Sequence, residues 1–335
     1  MEVLFINKEF KNLDQQIELL KNRGLTISNE TRAKQYLLTN NYYNLINGYS
    51  KYFQISTDKY ISGSCFDEIT YTNFYDQQIK HYTFKAVLEA ENHIKSITAY
   101  LFAKDYSDLR YAYLDINCYD SSKTVAAIKT ISKFYEKINY YSNKRQPNNS
   151  IKHYVEHYDN VPIWVIIDYL TLGELRYFIK NLPRSLREKI AKEMRTFISD
   201  HITNVQEPFT IEVFDSFLAS INELRNTCAH DKKLIGFSQK SDIKYFKLLH
   251  KKYNIEPSNT RRSFYQTFLI LQCFTSKIEF NKLHNSILKS LKNLNKKIHS
   301  IEFNILLNEL GFPNNWHLTE QKLPQLQQKK ITPGT

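Results

Sequence analysis

The amino-acid sequence predicts an all-α protein, and three observations carry that expectation. Glycine and proline number only 7 and 8 in 335 residues, below their usual shares of roughly 7% and 5%, so tight turns and bulges have few of the residues they demand. Apolar residues recur at intervals of three and four along most of the chain, which places them on one side of a helix. One stretch, residues 66–104, runs almost without a helix breaker. The length suits one large domain or two ordinary ones, and either buries a substantial core.

Taken in order, Phe10, Leu13, Ile17 and Leu20 predict a helix that ends at Gly24. A second helix is expected after Ser28, reaching about Thr39. The segment NYYNLINGYSKYF (41–53) is dense in tyrosine; such rings stack on bases or close a small core, and packing is the preferred reading. Residues 66–104 form the longest expected helix, straight or kinked, with Glu91 and Lys95 along or beside an apolar stripe of Val87, Leu88, Ile94, Thr98 and Leu101. Over 122–140, Val125, Ile128, Phe134, Tyr135 and Ile138 predict a helix face, followed by the loop NKRQPNNS (143–150) with Ser150 as the next N-cap. PIWVIIDYLTLGELRYFIKNLP (162–183) reads as one buried helix between prolines. Further helices are expected over 210–230, 241–253, 262–277, 279–297 and 300–310. The last residues, QKLPQLQQKKITPGT, have too little apolar content to fold alone.

Net charge is +12 with an isoelectric point near 9.2, which favours a polyanionic partner. From Gln239 to Ser300 there are 13 Lys and Arg against three acids, so this segment holds most of the excess; it is either a solvated helical surface or a track for phosphates. The four cysteines, Cys65, Cys118, Cys228 and Cys273, lie far apart, with no metal-ligand spacing and no disulfide framework. MEVLFINKEF lacks a secretory h-region, and no stretch approaches the roughly 18 apolar residues of a spanning helix. A soluble, cytoplasmic protein with no metal and no cofactor is expected.

The sequence feature that asks for an explanation is LRNTCAH (224–230). At 100° per residue from Phe214, the side chains of Phe217, Leu218, Ile221, Leu224 and Cys228 fall within about 80° of it, and Arg225 falls at about 20°. A guanidinium keeps its charge and is costly to bury alone, so Arg225 meets either a buried acid such as Glu91 or an anion that comes and goes. Asn226 and His230, four apart, share a face. Arg225 and His230 point about 140° apart on an unbroken helix, so they converge only if the helix ends near Ala229 or two copies meet. An arginine to hold phosphate and a histidine to take a proton suit attack of an RNA 2′-hydroxyl on its own phosphate, which requires no metal. The competing reading is a structural arginine and a histidine that merely caps a helix.

RNTCAH at the end of a long helix resembles the R-x4-6-H motif of HEPN-superfamily ribonucleases. NYYNLINGYSKYF, the 66–104 helix with AENHIKS, PIWVIIDYLTLGEL, RNTCAH and GFPNNW (311–316) resemble, in that order, the Abi-like proteins of bacterial abortive-infection phage defence, of the AbiD/AbiF type. The resemblance implies a HEPN-like helical bundle with additional N- and C-terminal helices, and a metal-independent endoribonuclease that leaves a 2′,3′-cyclic phosphate and a 5′-hydroxyl. It divides the chain into an N-terminal helical region (1–60), a core carrying RNTCAH (61–235), a basic helical region (236–316) and a flexible tail (317–335). It implies a homodimer with a composite site, in which Arg225 grips phosphate, His230 is general base or acid, and Asn226 orients it; Glu91 and Lys95 lie at the site edge. RNA is the expected partner, both as substrate and as a small noncoding RNA or other antitoxin that restrains the chain. Lys232, Lys233, Arg261, Arg262, Lys289, Lys292, Lys296 and Lys297 are expected to track its phosphates, with Tyr245, Tyr253 and Tyr265 stacking on bases or packing the core. The alternative is a noncatalytic RNA-binding protein that uses the same motif to grip phosphate.

Overall fold

A computed structural model describes residues 9–202 and 206–325; the expectations for the first eight residues and for the end of the tail (326–335) fall outside them. The fold is all-α, with fifteen α-helices and one short β-hairpin among the described residues. No helix of the described residues is long and apolar enough to cross a membrane. The chain forms two compact units that interleave in sequence: residues 1–82, 233–237 and 285–322 in one, and 83–232, 238–284 and 323–335 in the other.

The first unit begins with α1 (Leu13–Asn22) and α2 (Glu30–Thr39), which pack on each other. Asn12 and Gln15 form a reciprocal capping box that starts α1. Gly24, at φ +92°, ends it in a Schellman turn, with Gly24 N–H on the Lys21 carbonyl and Leu25 N–H on that of Leu20. The tyrosine-rich segment folds as a π-helical turn (Tyr43–Asn47) and a 3₁₀ turn (Ser50–Phe53) leading to the hairpin β1 (Gln54–Ser56) and β2 (Lys59–Tyr60). Tyr49, Tyr52 and Phe53 are buried there, so packing is what most of these rings do. Residues 66–82 of α3 (Phe66–Asp105), one uninterrupted helix of 40 residues, belong to this unit. Its buried Glu68 accepts the backbone N–H groups of His299 and Ser300 at 2.6 and 2.8 Å.

The second unit takes the remainder of α3 and the helices α4 (Thr124–Ser142), α5 (Ser150–His157), α6 (Ile163–Ile166), α7 (Leu172–Asn181), α8 (Arg184–Glu193), α9 (Arg195–His201), α10 (Ile211–Ala229), α11 (Lys247–His250) and α12 (Phe264–Ile270). The helix α13 (Lys277–Asn295) contributes residues to both units, and α14 (Asn304–Leu310) and α15 (Trp316–Thr319) belong to the first. At the centre of the second, α10 packs against α7, α8 and α12, with Phe209, Phe217 and Phe246 in edge-to-face contact beside it.

Several local expectations need correction. The 162–183 stretch is not one helix: α6 passes into a 3₁₀ turn (Ile167–Tyr169), and Thr171 starts α7 with a capping box to Glu174. The N-cap of α5 is Asn149, not Ser150. In α4 the buried face is Ala127, Thr130 and Phe134, while Val125, Ile128 and Tyr135 are exposed. On that side Asn181 of α7 donates to the Ala126 carbonyl and to Thr130 Oγ1, at 3.1 and 2.8 Å, and α4 packs on α7. The helices expected over 241–253 and 262–277 are shorter, each ending in a 3₁₀ turn. Residues 317–319, expected in the flexible tail, belong to α15 (Trp316–Thr319), where His317 is buried.

Candidate functional site

Thr210 caps α10, and the stripe of Phe214, Phe217, Leu218, Ile221, Leu224 and Cys228 is buried along it. Arg225 lies in the last turns, half-buried. Its Nε is shut off from solvent without a hydrogen-bond partner, and among the described residues its guanidinium forms no ion pair. Glu91, the acid considered as its partner, instead gives Oε1 to Lys95 Nζ at 2.9 Å. A fixed charge held this way lacks the compensation that structural arginines receive.

The helix stops at the motif through backbone geometry. Asp231 adopts φ +53°, its N–H reaches the Cys228 carbonyl at 3.2 Å, and Lys232 N–H reaches that of Thr227 at 3.0 Å. These two bonds make a Schellman turn with aspartate in the left-handed position usually given to glycine. His230 is therefore the C-cap, at φ −95° and ψ 16°, with its backbone N–H on the Asn226 carbonyl at 3.0 Å. The chain leaves the helix after Ala229. The Asn226 and His230 side chains are both exposed, and no hydrogen bond joins them.

Glu91 and Lys95 are brought together, 6% and 7% exposed, and Lys95 also donates to the Asp168 carbonyl at 3.2 Å. Neither makes a hydrogen bond or ion pair with Arg225. Of the expected phosphate-tracking cations, Lys232, Lys289, Lys296 and Lys297 are exposed and Lys292 is half-buried. Lys297 lies 5.3 Å from the centre of the Tyr71 ring. Lys233 donates to the Gly48 carbonyl at 2.8 Å, and burial, then nearby Lys51, lowers its pKa. Arg262 pairs with Asp242 at 3.1 Å. Arg261 is a correction: it is buried, and its Nε and Nη1 donate to the carbonyls of Ile243, Glu256, Pro257 and Asn259. It braces its own loop. Tyr265 is buried, Tyr245 stacks on His250 and Tyr253 hydrogen-bonds Gln272, so these rings pack rather than wait for bases.

One residue escaped sequence reasoning. Asp76, fully buried in the first unit, accepts the N–H groups of Leu234 and Ile235 and the Tyr49 hydroxyl at 2.8 to 3.2 Å. It anchors the chain four residues beyond His230. Burial pushes its pKa up against these bonds. A lone aspartate in a helix carries no sequence signal of such a role.

No curated protein matches the chain. No solved structure matches it either. The model of the Abi-like protein family matches residues 35–236, which takes in the tyrosine-rich segment, α3 to α10 and RNTCAH. With more than half of its length in that match, the chain belongs to the Abi-like protein family.

Proposed function

We propose that this protein is the RNA-cleaving effector of an abortive-infection system, acting by 2′-hydroxyl attack in the manner of HEPN ribonucleases. Membership of the Abi-like family suggests phage defence by abortive infection; the finer reading rests on the end of α10. The observation that carries it is Arg225, half-buried with an unpartnered Nε, five residues before a histidine that the Schellman turn leaves exposed at the helix end. Arg225 binds the scissile phosphate as charge builds on its oxygens. An imidazole takes the 2′-hydroxyl proton, O2′ attacks phosphorus, and the 5′-oxygen leaves with a proton from a second acid. One His230 does not hold both positions at once, so a second copy of the motif from another chain supplies the other, with Asn226 beside each imidazole. The products are a 2′,3′-cyclic phosphate and a 5′-hydroxyl. The exposed lysines of α13 bind the RNA backbone, and a small noncoding RNA or other antitoxin restrains the toxin until infection.

The test compares the parent with His230→Ala on total RNA in EDTA. The expected result is cleavage by the parent with cyclic phosphate ends, a loss of about 10²- to 10⁴-fold in His230→Ala, and RNA affinity that stays near the parent value and falls steeply with salt. Cleavage that needs a divalent ion, or that leaves a 3′-hydroxyl, would overturn the mechanism. Salt-sensitive binding without cleavage by the parent would assign the noncatalytic role.

A further inference from the structure

Beside the Glu91–Lys95 pair lies a cavity of about 830 Å³, within the range of small-molecule sites. One wall is the edge of α3 that carries Asn92, Tyr100 and Lys104; the other carries Trp164 and Asp168. Tyr100 is 66% and Trp164 58% exposed, two large rings left in water with no ring or cation against their faces among the described residues. Buried Lys95 also lines the cavity. Two of its three donors are engaged, by Glu91 Oε1 at 2.9 Å and the Asp168 carbonyl at 3.2 Å, which fixes the ammonium and leaves one N–H. The Asp168 carboxylate and the Lys104 ammonium are exposed and make no ion pair or hydrogen bond among the described residues.

We infer that this cavity binds a nucleotide through its base, with guanine preferred. Aromatic faces accept any base by stacking. The polar groups then discriminate: a carboxylate offers two acceptor oxygens side by side, and guanine alone among the four bases presents two adjacent donors, N1–H and N2–H, to match them. Lys104 meets the phosphate and Lys95 a carbonyl oxygen. The inference uses neither Arg225, Asn226 nor His230, the residues to which cleavage is assigned, and of the residues expected at the edge of that site it uses only Lys95, so it stands or falls separately from that reading. The nucleotide is either free or part of a single strand, and both offer the same chemistry.

Trp164 reports on its own site, because the other tryptophan, Trp316, is 4% exposed. The experiment titrates the full chain carrying His230→Ala, which stops cleavage from confusing the signal, with guanosine monophosphate, adenosine monophosphate, and short single strands with and without guanine. The expected result is saturable quenching with guanine favoured at least about tenfold, the preference lost in Asp168→Asn, and affinity reduced about tenfold or more in Tyr100→Ala, as loss of a stacking platform implies. Melting temperatures near the parent's establish that these surface variants fold. Quenching by the mononucleotide identifies a free-nucleotide site, and quenching by oligonucleotides alone identifies a single-strand site; both support the inference. No saturable response to either, equal response to all bases, or an affinity that Tyr100→Ala leaves unchanged overturns it. Emission that changes with protein concentration alone assigns the face to a second copy and also overturns it.

Discussion

Arg225 sets an energetic conflict at the scale of a single residue. It is half-buried on α10, and its Nε is closed to solvent and unpartnered among the described residues, so the folded chain carries a desolvation cost without an ion pair to offset it. Methionine has a similar reach and no charge. Arg225→Met is therefore expected to leave stability unchanged or raise it by up to about 2 kcal/mol while abolishing RNA cleavage, as thermal melts and a cleavage assay would read. A loss of more than about 2 kcal/mol would instead identify Arg225 as a structural arginine. The position was legible from the sequence, because the helical wheel places Arg225 among apolar neighbours. Its lack of a partner was not, because that depends on where Glu91, far off in the chain, turns its carboxylate. The inward turn of Arg261 was hidden for the same reason: a guanidinium that braces carbonyls of its own loop looks, in sequence, like any other surface cation.

At the scale of elements, the ends proved harder to read than the bodies. The Schellman turn after α1 uses Gly24 and was visible in the sequence, whereas the one after α10 uses Asp231 and carried no glycine to mark it. The break before α7 was also hidden, since Leu170, Thr171 and Leu172 continue an apolar run; what starts the new helix is the side chain of Thr171 and the reach of Glu174 back to its N–H at 2.8 Å. Glu174 also meets Lys137 of α4 at 3.1 Å, and these contacts hold its pKa below the usual carboxylate range despite burial. Because α7 packs on α10, the cap supports the helix that carries the motif. Thr171→Ala is expected to cost about 1 kcal/mol in urea unfolding, and Thr171→Ala with Glu174→Ala less than the sum of the single losses, since both act in one cap. Strict additivity would mean that the two side chains act apart.

At the scale of the whole molecule, a chain this basic still buries imidazoles, and that makes its stability depend on pH. Burial lowers the pKa of His201 and His317, and lowers that of His250 to about 4. His250 is wholly buried, with its Nδ1 against Phe246 N–H at 2.9 Å and its Nε2 unpartnered. In the unfolded chain the same ring titrates near 6.5. Between those values the unfolded state binds more protons than the folded one, so stability rises with pH there and is lost as pH falls from about 6.5 towards 4. Raised carboxylates such as Asp76 and Asp215 act in the opposite sense, since the folded state holds their protons longer, and the total slope mixes the two. A difference measurement separates them. Asn at position 250 keeps an acceptor where Nδ1 stands but does not titrate, so His250→Asn should be less stable than the parent at pH 7, and the gap should narrow by about 2 kcal/mol at pH 5. Urea unfolding of both proteins at the two pH values measures this directly. A gap that stays constant would mean that His250 takes up its proton in the folded state as readily as in the unfolded one, and that the acid sensitivity of the fold lies with other groups.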